Sequence, residues 1–162
     1  GGYQMLGETL DDPLGMESGR PQNLRGMGLL PTETVFDREK CRRQTSAVTE
    51  GAALGGAALE GYEIHTGRTA VRGAPFCTRS DGQPDGCVQG NVFGTYLHGL
   101  FDTGALTEKL ADYLCARKGI APEHTALRTM EEYRQEQFDL LADGVRAALN
   151  LPDVYRTMGM ER

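Results

Sequence analysis

The apolar positions of this chain fall into short runs separated by glycine-rich breaks, and the runs differ in period. Over 104–118, Leu106, Leu110, Tyr113 and Leu114 recur at helical spacing, with Gly119 as a stop signal. Over 129–149, Tyr133, Phe138, Leu141, Val145 and Leu149 make one apolar stripe, and Thr129 with Glu132 forms a capping-box pattern. Residues 3–10 (YQMLGETL) read as a short helix or a helix start. Alternation takes over between these ends. "GMGLLPTETVF" predicts a strand interrupted near Pro31. In "GYEIHTGRTAVRG" an extended backbone sends Tyr62 and Ile64 to one face and Glu63 and His65 to the other. "GNVFGTYLHGLF" has a good β composition and predicts a strand ending at His98-Gly99. The stretches between read as loops: "DDPLGMESGRPQNLRG" as irregular surface, "EGAALGGAALEG" as a flexible insert, and "GAPFCTRSDGQPDGC" as a hairpin-like connection.

These elements predict an α/β chain with one unit over residues 1–150 and a flexible tail over 151–162. Composition changes the picture by exclusion. A net charge of −6 with scattered arginines argues against a nucleic-acid partner, which calls for a basic face. No apolar run has the length to cross a bilayer and no leader pattern is present, so neither membrane nor export is expected and the default compartment is the cytoplasm. Cys41, Cys77, Cys87 and Cys115 show no CxxC spacing. Four reduced thiols are expected, although Cys77 and Cys87, ten apart in a loop, leave a disulfide or metal site open.

Candidate chemistry is sparse. His98, between glycines at a strand end, is a plausible general base, since imidazole takes and returns a proton near neutrality. A histidine at a strand end is more often a hydrogen-bonded structural residue, so spacing alone does not identify an enzyme. His65 beside Glu63 carries the same ambiguity, and His124 reads as a surface residue near a helix start. No GxSxG and no cysteine in a strand–turn–helix setting supplies a nucleophile. "GGYQML" has instead the character of the exit from such an elbow. Small residues there relieve crowding, and the N–H after the nucleophile can donate to an oxyanion. The glycine-rich segments lack the Lys-Ser/Thr of a phosphate loop, so no ATP site is expected. Asp11-Asp12 and Glu131-Glu132 suit a solvated loop and a helix start better than a metal site.

"GGYQMLGETLDDPLGMES", "GMGLLPTETVF", "GYEIHTGRT" and "GTYLHGLFD", in that order, resemble the C-terminal part of the cobyric acid synthase family, from Gly1 to about Gly119. The resemblance implies a three-layer, flavodoxin-like class I glutamine amidotransferase domain, incomplete at its N-terminal side. It implies glutamine as substrate, hydrolysed to glutamate and ammonia. A separate synthetase domain with ATP and Mg would use the ammonia to amidate a corrinoid, adenosylcobyrinic acid a,c-diamide. No cofactor or metal is expected in this chain. Carried over residue by residue, His98 would be the general base, Gly1 an oxyanion donor, Gly2 a point of close substrate approach, and Gln4 part of the glutamine pocket. The nucleophilic cysteine would stand directly before Gly1, so these residues alone are expected to be inactive. Leu100 stands where many class I enzymes have a glutamate, which implies a Cys–His pair. Glu63 and His65 mark a family segment without an assigned role. A related amidotransferase for another corrinoid or a cell-wall acceptor, and a non-catalytic module of the same fold, remain alternatives.

Overall fold

A computed structural model describes residues 1–122 and 130–160. They divide into two compact units, Gly1–His124 and Thr125–Arg162. His124 and Thr129, and with Thr129 the expected capping box, lie outside the described residues.

The first unit is mixed α/β. Helix α1 (Gly2–Leu6) leads into strand β1 (Thr9–Asp12), β2 (Gln22–Arg25) and the long β3 (Thr32–Thr49). A helical turn α2 (Gly51–Leu54) connects β3 to β4 (Ala58–Val71). Short strands β5 (Cys77–Arg79), β6 (Pro84–Asp85), β7 (Cys87–Gln89), β8 (Val92–Gly94) and β9 (Leu97–His98) precede helix α3 (Ala105–Lys118). The main sheet runs β2-β1-β3-β4-β9, with β5 on β3 and β6 on β5, while β7 and β8 pair separately. Only β1 and β3 pair in parallel among the described strands.

Several local outcomes differ from the sequence expectation for physical reasons. Residues 3–10 are helix only to Leu6. Glu8 N–H donates to the Thr32 carbonyl at 2.7 Å, which commits Thr9–Asp12 to the sheet. "EGAALGGAALEG" is a core segment rather than a flexible insert: Leu54, Ala57 and Leu59 are buried with Ala47, Phe76, Leu97 and Leu106. "GNVFGTYLHG" is two strands in two sheets, broken where the Thr95 hydroxyl and the Tyr96 N–H both donate to the Asp85 carboxylate. Residues 37–49, which show no apolar signal, continue β3. Their pairing with β4 supplies the backbone hydrogen bonds that their own pattern does not advertise. Helix α3 matches expectation, with Leu106 buried and Leu110 and Tyr113 packed behind it, although Leu114 is exposed.

The β3–β4 ladder contains one irregularity. Val35 opposes Arg68 and Lys40 opposes Thr66, so residues 36–39 stand against Gly67 alone. Gly67 has φ +83, and a Cβ there would lie 2.7 Å from the Val35 carbonyl oxygen. This bulge changes which residues of β3 face inward: Thr32, Thr34 and Phe36 before it, Ala47 and Thr49 after it.

Asp12 corrects the expectation of a solvated acidic pair. It is buried, and its carboxylate accepts from Met16 N–H at 2.6 Å, Glu17 N–H at 2.9 Å, and the N–H and hydroxyl of Ser18. Burial works to raise this carboxyl, but the donors outweigh it and hold it below its ordinary value. The stability it contributes is therefore complete above the unfolded carboxylate value of about 3.9 and is lost as pH falls through the lower folded value. Asp12→Asn is expected to be less stable than the parent at neutrality, with the difference shrinking below about pH 4. Urea midpoints across that range test this; a constant difference would contradict it.

In the second unit, α4 (Met130–Ala148) carries the predicted stripe, yet none of its residues is buried. Residues expected to be a flexible tail form a further helix, α5 (Leu151–Thr157). No described helix is long and apolar enough to cross a membrane.

Candidate active site

Chain residues nearly a hundred positions apart meet at one cavity. Helix α1 opens with Met5 N–H donating to the Gly1 carbonyl at 3.0 Å, which leaves Gly1 and Gly2 exposed and turns Tyr3 and Gln4 inward. At the other end, Leu97 is drawn into the core and the alternation of β9 then puts His98 outside. Gly1, Gly2, Gln4 and His98 all line a cavity of about 300 Å³, together with His65 and Leu100. The structure thus brings together all four residues that the sequence singled out.

Each is held differently. His98 is opposite Tyr62 in the β4–β9 pairing, and the rings stack at 4.9 Å with a 5° interplanar angle. Gly61 permits that pairing: a Cβ there would fall 1.9 Å from the His98 carbonyl oxygen. Gln4 is buried and donates its amide to the Thr66 carbonyl at 2.9 Å, which ties α1 to β4. Gln4 and Gly1 also line a neighbouring cavity of about 430 Å³ with Glu17, Lys40 and Thr66. The Thr66 hydroxyl donates to Glu17 at 2.6 Å across its wall.

None of the four cysteines lines the His98 cavity. All four are free thiols, so the open pairing of Cys77 with Cys87 is not made. Burial pushes Cys77 up to about 12 and raises Cys87 and Cys41, opposite to the shift of an activated nucleophile.

The sequence reading left Glu63 and His65 without a role; His65 lines this cavity, while Glu63 lines a separate one that His65 also borders. Glu63 is 1% exposed in mid-strand. Arg43 Nε donates to it at 2.6 Å and Arg79 reaches its other oxygen at 3.5 Å, while both arginines also bond Asp81. His65 stacks face to face on Tyr96 at 3.7 Å, and Tyr3 meets the same ring edge-on at 4.9 Å. The alternation of "GYEIH" does predict the shared face of Glu63 and His65. It carries no signal for arginines that lie 20 and 16 residues away.

Physically, the cavity offers an accessible imidazole, an exposed backbone turn of two glycines, and a buried amide carrier. That set suits proton transfer at the His98 imidazole. A family model described as the CobB/CobQ-like glutamine amidotransferase domain matches residues 1–106. The cobyric acid synthase of Ruminiclostridium cellulolyticum is 37% identical over 98% of this chain and 33% of its own length. The probable cobyric acid synthase of Methanocella arvoryzae is 40% identical over 96% of this chain and 31% of its own. For the cobyric acid synthase of Salmonella arizonae the values are 40%, 98% and 33%. The chain spans about a third of the length of these curated relatives.

Proposed function

Because this chain belongs to the CobB/CobQ-like glutamine amidotransferase family, we propose that residues 1–162 are part of the glutaminase unit of a cobyric acid synthase. The carrying observation is the convergence of Gly1, Gly2, Gln4 and His98 on one cavity. In this reading a cysteine directly preceding Gly1 attacks the side-chain amide carbon of glutamine after His98 takes its thiol proton. The Gly1 N–H steadies the oxyanion, and Gly2 leaves room for the substrate. Protonated His98 returns the proton to the departing ammonia, and water then releases glutamate from the thioester. His98 works without a carboxylate partner two residues on, since Leu100 stands there and packs toward the core. The face-to-face contact with Tyr62 takes over the task of orienting the ring.

The wider domain in this reading is a three-layer class I amidotransferase. The ammonia passes to a synthetase domain that uses ATP and Mg to amidate a corrinoid carboxylate during cobalamin biosynthesis. The relatives named cobyric acid synthase support that acceptor class.

Residues 1–162 on their own are expected to release no glutamate from glutamine, whereas the same residues preceded by their upstream half-domain and its cysteine do so. A coupled glutamate assay on both proteins tests the reading. Glutaminase activity in residues 1–162 that disappears on replacing one of the four cysteines would overturn it.

A further inference from the structure

We propose that Cys41, Glu63 and His65 form a binding site for a borderline-soft divalent cation, with zinc the best match. The three side chains come from adjacent strands. Cys41 pairs directly with His65 across the β3–β4 ladder, and Arg43 pairs with Glu63. One ligand atom from each of Cys41, Glu63 and His65 lies within 4.8 Å of the others. Tetrahedral zinc with bonds of about 2.0–2.3 Å keeps its donors about 3.3–3.8 Å apart. The Cys41 thiol already reaches the Glu63 carboxylate, 3.6 Å from Oε2, and closing the set from 4.8 Å needs side-chain rotation of about an ångström. Thiolate, imidazole and carboxylate together are the donor types that zinc accepts and that calcium or magnesium does not favour.

A second observation points to a ligand. His65 Nδ1 is buried and has no hydrogen-bond partner among the described residues. Buried ring nitrogens are normally paired. Stacking on Tyr96 fixes the plane of this one. A cavity of about 440 Å³ adjoins all three residues and leaves room for a fourth donor such as water.

The two arginines are the counter-argument, and their geometry answers it. Arg43 holds Oε2, the same Glu63 oxygen that the Cys41 thiol approaches, at 2.6 Å, which leaves Oε1 for a cation; among the described residues Oε1 meets Arg79 at 3.5 Å. Both guanidinium groups share Asp81, and Asp85 lines the same cavity, so the local charge is close to balanced before a cation enters. Binding replaces the Cys41 S–H bond with a sulfur–metal bond and releases that proton to solvent, with no change of oxidation state.

The test is a cobalt(II) titration of the metal-stripped chain under anaerobic conditions, followed by zinc. One equivalent of cobalt is expected to give a thiolate-to-metal charge-transfer band in the near ultraviolet, displaced by zinc. Cys41→Ser is expected to remove the band, while Cys115→Ser keeps it. Loss of even an outer-shell partner costs about 10–100-fold in metal affinity. His65→Gln is therefore expected to weaken zinc binding by at least about tenfold in competition with a chromophoric chelator. Circular dichroism melts establish that each variant folds, and if Cys41→Ser does not, the zinc affinity of His65→Gln decides. An absent band, a band that survives Cys41→Ser, or zinc affinity unchanged by His65→Gln overturns the site and leaves Glu63 as an ion-pair knot alone.

Discussion

Replacing His98 with asparagine is expected to lower kcat/KM for glutamine hydrolysis by about 10²–10⁴ in the intact enzyme that contains this domain. The range is that of a positioned general base, and the geometry leaves no stand-in. The other residues at the His98 cavity are glycines, apolar side chains, Thr95, Tyr96, Tyr3, whose hydroxyl burial keeps protonated, the anchored Gln4 and His65, whose ring is stacked on Tyr96. Because the imidazole is exposed and touches mainly the Tyr62 ring, stability should change by only about 0.5 kcal/mol. Glutamate release and thermal unfolding measured on the same preparation separate the two effects. Activity within threefold of the parent would remove His98 from the mechanism. A large loss of stability would make its role structural.

The second large effect is expected at Gly61. A Cβ there meets the His98 carbonyl oxygen at 1.9 Å, the carbonyl carbon at 3.1 Å and Leu97 Cδ1 at 3.2 Å. Strand β9 has only two residues, and its ladder is Tyr62 with His98 and Glu63 with Leu97. It cannot yield to a methyl group without leaving β4, and Leu97 cannot follow without opening the core. Gly61→Ala is therefore expected to cost about 2–3 kcal/mol, in the range of an overpacked interior. It should also displace His98, so that glutamate release falls in whatever fraction remains folded. Gly144→Ala is the control, since nothing lies within 4 Å of its Cβ and it sits inside α4. A helical glycine replaced by alanine should be neutral or gain up to about 1 kcal/mol. Equal urea midpoints for Gly61→Ala and the parent would show that β9 is not held as described.

What the sequence conveyed and what it concealed follow one division. Period and stop signals sufficed where an element satisfies itself locally, as in α3 with Leu106 and Gly119, or along Tyr62–His65, where exposed Tyr62 and Ile64 alternate with buried Glu63. They failed where a partner far along the chain decides the outcome. Residues 37–49 are a strand because β4 lies beside them, and 51–59 are core because Phe76 and Leu106 close over them. The chain breaks at Thr95 because the Asp85 carboxylate competes for its backbone. The candidates Gly1, Gly2, Gln4 and His98, which line one cavity, rest on motifs rather than periodicity. The stacking of Tyr62 on His98 and the arginines on Glu63 depend on strand register, which no short motif records.

That register has a consequence for how the chain can vary in length. The bulge opposite Gly67 reverses which of two successive side chains in β3 points inward, and everything from Lys40 to Thr49 inherits the reversal. Inserting or deleting one residue between Phe36 and Lys40 would restore the original parity. Arg43 would turn away from Glu63, leaving a buried carboxylate facing Arg42 or Gln44, and Ala47 and Thr49 would exchange places with Val48 and Glu50. A change of two residues would keep every one of these side chains on its own face. Length variation in this segment should therefore occur in even steps, a spelling rule imposed by a single kink in one strand.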